Sequence, residues 1–158
     1  MSRKSSSRFI PVRLDQVLRL LLFLFVLRVL GQLLVALGCG SWLPPMSSWQ
    51  SGLLSYPQLL ASQVLIIILY ERVCRDFSRR EGFFFDAPGR GAGLFLLVFG
   101  ALYFFSMLVR YALTMALWPE RRWTGGTIPI LFHLVLATFI LLVGRAYYRR
   151  RAGALSMM

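Results

Sequence analysis

With 158 residues, 58% of them hydrophobic and only 15% charged, and a mean hydropathy of +0.66, the chain is too apolar to cover itself as a water-soluble domain. A net charge of +12 and a pI of about 11.2 would point to nucleic acid in a soluble protein. Here the basic residues stand at the edges of apolar runs, which is the positive-inside pattern of a membrane protein and argues against a nucleic-acid partner.

Residues 1–16 carry Arg3, Lys4, Arg8 and Arg13 after a Ser-rich start and read as a disordered, basic cytoplasmic leader. Residues 17–38 form the first apolar run, long enough to cross a hydrocarbon core of roughly 30 Å at about 1.5 Å per residue. A cleaved signal peptide competes with this reading, because Ala36-Leu37-Gly38-Cys39 faintly resembles a lipoprotein cleavage site. The run is longer than the apolar region of a signal peptide, and Arg28 interrupts it, so a retained span is the better reading.

Residues 39–56 hold no charge but contain Pro44-Pro45, several serines, Trp42, Trp49 and Tyr56, as expected of a loop lying along the outer interface. The second span follows at 57–74, with Pro57 suited to its first turn. The charged stretch 71–90 prolongs that helix and then turns; Phe83-Phe84-Phe85 is expected at the headgroups, and residues 88–93 as a flexible lead into the next helix. The glycines there lack the Gly-Lys-Ser/Thr ending of a phosphate loop.

The third span covers 94–118 and is stopped by Pro119. A short outer turn follows, Thr127 caps the fourth helix with Pro129 in its first turn, and the fourth span runs over 128–144. The predicted fold is therefore an all-α integral membrane protein, a four-transmembrane-helix bundle occupying 17–145 as one domain, with a basic cytoplasmic tail at 146–158. About fourteen Lys and Arg residues flank the spans on one side, against Arg121 and Arg122 on the other. That asymmetry puts both termini in the cytoplasm, and the expected location is a bacterial plasma (inner) membrane.

Ionisable groups at membrane depth are the functional candidates: Arg28 in the first span, Arg110 in the third and His133 in the fourth. Helical spacing adds Gln32 beside Arg28, and Tyr103, Ser106 and Thr114 beside Arg110, while the second span offers Gln58, Ser62 and Gln63. Ala137 and Gly144 share the face of His133 and let another helix approach closely. Arg28, Gln32, Gln63, Ser106, Arg110 and His133 are thus expected to form a polar, positively charged cluster with no Asp or Glu at the same depth. In one reading Arg28 and Arg110 hold an anionic or carbonyl-bearing ligand. In the other, Arg110 snorkels outward, Arg28 bonds to glutamine or backbone carbonyls, and His133 joins two helices.

Chemistry is poorly supplied. Glu71 and Glu120 fall at opposite interfaces and cannot act as an acid and base pair, and no nucleophile has an adjacent base. His133 as a haem ligand would need a second ligand from elsewhere. Cys39 and Cys74 fall near opposite surfaces with no further cysteine or histidine at ligand spacing, so neither a disulfide nor a metal site is expected. Trp42, Trp49, Trp118 and Trp123 read as interfacial anchors. The thiol motif of the quinone-linked disulfide enzymes is missing, as is the embedded glutamate of the small multidrug exporters.

The sequence is best read as a non-enzymatic accessory, assembly or interaction subunit of a membrane complex, without cofactor or metal. Its expected partners are the bilayer, including anionic lipids, and either its own copies or another membrane protein. The alternative is a small oligomeric channel or transporter in which Arg28, Gln32, Arg110 and His133 line a path for an anion or polar solute.

Overall fold

The computed structural model describes residues 14–39, 42–49, 55–117 and 127–155, with residues 47 and 150–155 as backbone only. Among these the secondary structure is all helix, without strands: α1 (Leu14–Ala36), α2 (Tyr56–Arg79), a single turn α3 (Phe83–Asp86), α4 (Arg90–Leu117) and α5 (Thr127–Leu155). Four of them, α1, α2, α4 and α5, are long and apolar enough to cross a membrane. The expected leader up to residue 13, the outer turn with Trp118 and Trp123, and the last three residues lie outside the described part.

Each helix end has a local cause. α1 stops where Gly38 adopts φ +73°, and two bonds close its last turn: Cys39 N–H to the Leu34 carbonyl at 3.0 Å and Gly38 N–H to the Val35 carbonyl at 3.1 Å. This is the Schellman arrangement, which glycine permits because it has no Cβ to clash. α2 begins after Ser55, whose N–H is taken by the Gln58 side chain at 3.3 Å, with Pro57 in the first turn. At its far end Arg80 turns left-handed, and its N–H returns to the Asp76 carbonyl.

The connection from α2 to α4 is a built corner. Gly82, at φ +109°, packs its backbone on the Asp76 carboxylate, where any Cβ would come within 2.6 Å. That carboxylate accepts the Phe84 N–H at 3.0 Å, and Asp86 accepts the Gly82 N–H at 3.2 Å. Of the three phenylalanines expected at the headgroups, Phe83 is 71% exposed, but Phe85 is 2% exposed and packs edge-on against Phe77. The expected flexible lead into α4 is also corrected: helix starts at Arg90, and Gly93 presses on the backbone of Tyr148.

A core runs along the bundle from Leu18, Leu22, Phe25 and Val29 of α1, spaced three and four apart, to Tyr70, Val73, Cys74 and Phe77 of α2 and Leu136, Phe139, Val143 and Tyr147 of α5. α1 packs on α2 and on α5. α2 meets α5 chiefly through aromatic rings: Tyr70 stacks on Phe139 with centroids 3.8 Å apart, and Phe77 lies 5.8 Å from Tyr147. α4 packs closely on α5 alone, through Gly93, Gly100 and Gly144, where an added Cβ would meet the facing helix at 2.6, 3.0 and 2.9 Å.

Contacts gather the start of α1, the end of α2, the start of α4 and the end of α5 at one end, here called the basic end. Arg19 donates to Ser78, Arg90 to the Tyr148 hydroxyl at 2.8 Å, and Tyr147 to the Phe84 carbonyl. α5 continues as helix well past residue 144 into the stretch expected as a tail, since no proline interrupts it and its arginines are at home in headgroups.

Candidate functional site

The half of the bundle away from the basic end holds a layer of polar side chains. Arg28 is only 7% exposed, although it lies about 12 Å from the end of α1 at about 1.5 Å per residue. It donates to the Trp49 carbonyl at 2.9 Å, and its guanidinium stands over the Phe132 ring of α5, 5.7 Å from the centroid. Its Nε has no partner among the described residues.

That bond requires the loop after α1 to descend into the bundle. A single 3-10 turn, Met46–Ser48, follows Pro44-Pro45 and touches both α1 and α5. Trp49 then donates its indole N–H to the Pro44 carbonyl at 2.9 Å and lays its ring on Gly31, where a Cβ would come within 2.9 Å. The expectation that Trp49 anchors at the interface is thus overturned: it is 7% exposed, whereas Trp42 is 79% exposed. Irregular backbone at membrane depth is tolerated where protein surrounds it, and here α1 and α5 do so.

One turn further along α1, Gln32 is fully buried and accepts from the Gln63 amide of α2 at 3.0 Å. The remaining halves of the pair, Gln32 Nε2 and Gln63 Oε1, are buried without partners. On the other side, the His133 Nδ1 of α5 shares a hydrogen bond with the Tyr103 hydroxyl of α4. Phe132 and His133 are neighbours in chain, so the ring under Arg28 and the imidazole belong to the same turn of α5.

The structure therefore brings Arg28, Gln32 and Gln63 together and sets His133 nearby. Ser106 and Arg110 are placed elsewhere, on the exposed face of α4. Ser106 donates to the Tyr103 carbonyl of its own helix at 2.8 Å, and Thr114 donates to the Arg110 carbonyl at 2.8 Å. α4 meets α5 through its glycines, and toward the far end of α4 both Arg110 and its neighbour Tyr111 stand exposed. Gln58 is spent on capping α2, and Ser62 on the Leu59 carbonyl at 2.7 Å.

Two contacts were not read from the sequence: the loop carbonyl of Trp49 on Arg28, and the pairing of Tyr103, expected beside Arg110, with His133. Gly31 was the available signal for the first, a small residue in an otherwise bulky helix. Chemically the layer offers donors and amides but, among the described residues, no carboxylate. Among the described residues no three His, Cys, Asp or Glu side chains gather as a metal ion would need. No protein-family model, curated protein or solved structure matches the chain.

Proposed function

We propose that this is a non-enzymatic multi-pass membrane protein, an accessory, assembly or interaction subunit that packs against its own copies or a larger complex in a bacterial plasma (inner) membrane. The observation that carries the reading is Arg110. It is exposed on a helix that packs closely on α5 alone, about 10 Å from the end of that helix at about 1.5 Å per residue. Its guanidinium has no hydrogen bond or ion pair among the described residues. An arginine costs about 2.5 kcal/mol or more at the centre of a membrane helix and less toward its end, and a neighbouring helix with a carboxylate or carbonyl offsets that cost. Mild extraction of the tagged protein followed by native mass spectrometry tests this. A stoichiometric partner or second copy, lost in Arg110→Leu, is expected; unchanged assembly mass in that variant would count heavily against it.

With the positive-inside rule, the basic end faces the cytoplasm and both termini lie there. Cys39, exposed just past the end of α1, then faces outward, while Cys74 is buried. A membrane-impermeant maleimide added to intact cells is expected to label Cys39 without lysis.

A second reading, a small oligomeric channel or transporter for an anion or polar solute, has its own support in Arg28 Nε, Gln32 Nε2 and Gln63 Oε1, three unpartnered polar atoms in one buried layer. Flux through reconstituted vesicles that falls in Arg28→Leu would favour it; absence of flux favours the subunit.

A further inference from the structure

At the basic end, α1 and α2 enclose a groove of about 250 Å³ lined by Arg19, Glu71, Cys74, Arg75, Ser78 and Arg79. Three guanidinium groups and one carboxylate leave it positively charged. Arg19 is held in place across the helix pair: its Nε and Nη2 both donate to the Ser78 hydroxyl, at 3.3 and 2.8 Å. That uses two of the five donors of the guanidinium fork and fixes its plane for an oxygen-rich anion. Arg75 is partly neutralised by Glu71, 3.3 Å away and one turn earlier. Arg79, at the exposed end of α2, makes no ion pair among the described residues.

The lining itself is mostly polar, with Cys74 its apolar member, and exposed apolar side chains stand next to it along both helices. Cys74 lies in the core at 2% exposure. One turn along α1 from Arg19, Phe23 is 61% exposed, and one turn along α2 from Glu71, Ile68 is 57% exposed. On helices long enough to cross a membrane, these side chains continue the faces of the groove toward the hydrocarbon. An anion with an attached hydrocarbon chain satisfies both parts, its charge among the arginines and its chains along Phe23 and Ile68.

We propose that this groove binds the phosphate of an anionic membrane phospholipid, with Arg19 and Arg79 as its ligands and Ser78 positioning Arg19. The assignment is independent of which side of the membrane the basic end faces, and of the subunit reading. It differs from general attraction of a basic rim for anionic lipid in being a single site with an acid that opposes binding.

The test is native mass spectrometry of the full chain in a non-ionic detergent with equal amounts of phosphatidylglycerol and phosphatidylcholine. One phosphatidylglycerol is expected to stay bound in preference to phosphatidylcholine. Arg19→Gln and Arg79→Gln should each lower its retention about five-fold, as expected for loss of one basic residue at the lipid surface. Arg149→Gln, an equal loss of charge on the exposed end of α5, should leave it unchanged. Glu71→Gln should raise retention, about two-fold, by releasing Arg75. Arg79→Gln sits at an exposed helix end, so it keeps the test valid if Arg19→Gln fails to fold. Equal retention of both lipids, or an Arg149→Gln loss as large as that of Arg79→Gln, would overturn the proposal. Displacement of the lipid by millimolar inorganic phosphate would overturn it too, since the preferred ligand would then be a soluble anion.

Discussion

The two ends of the bundle are held together by different kinds of contact. At the basic end, Phe77, Phe85 and Tyr147 interlock, the Tyr147 hydroxyl reaches the Phe84 carbonyl, and Asp76 takes up the N–H of the corner beneath Gly82. In the other half, amides and a guanidinium meet across helices and are left half satisfied. Every buried side-chain polar atom without a partner among the described residues, namely Arg28 Nε, Gln32 Nε2, Gln63 Oε1 and Tyr56 Oη, belongs to that half. Burying such atoms costs free energy, so the aromatic end is scaffold and the polar half is where a ligand, a water or a partner has something to gain.

Cutting into the aromatic end should have the largest effect. Phe77→Ala removes a ring that touches both Phe85 and Tyr147 and is expected to destabilise the fold by about 3 kcal/mol or more, read as reversible unfolding in mixed micelles. If it costs under about 1 kcal/mol, that end is not the scaffold.

Next comes the amide pair, where the contrast is one of sign. Gln63→Leu strands Gln32 in the core and should cost about 2 kcal/mol, whereas Gln32→Leu combined with Gln63→Leu should restore most of that. A double variant worse than the single one would mean that the pair is itself a main source of stability. Arg28→Leu should change global stability less than Phe77→Ala but release the loop. With Trp49 as the one remaining tryptophan, its emission should shift to the red and become open to a soluble quencher. The smallest effect is expected from Tyr70→Phe, which removes the 3.3 Å bond to the Leu136 carbonyl but keeps the ring stacked on Phe139. About 0.6 kcal/mol is expected, the average for an interhelical bond in a membrane.

Much of this architecture was readable from the chain. Long apolar runs bounded by arginines give four helices of spanning length, and Pro57 and the charged continuation of α2 behave as their chemistry suggests. Helical periodicity also put Gln32 on the face of Arg28. It could not tell which face of α4 turns inward, because apolar residues surround that helix; small residues decided it, with Gly93 and Gly100 against α5 and Arg110 left outside. The descent of the outer loop was illegible for a related reason. An uncharged stretch with two tryptophans suits an interface, and only the pairing of Trp49 with Gly31, distant in sequence, draws one of them in. Phe83 to Phe85 shows the same limit, since a corner built on Asp76 turns Phe85 to the core and Phe83 to the outside.

The claim that matters most is that the outward face of α4 meets another protein at Arg110. A benzophenone side chain in place of Leu113, one turn from Arg110 and 55% exposed, reads that contact in the native membrane. A discrete protein adduct on illumination, abolished by Arg110→Leu and not formed by the same probe in place of the equally exposed Leu27 on α1, is the predicted result. Lipid adducts alone, the same with and without Arg110, would contradict it.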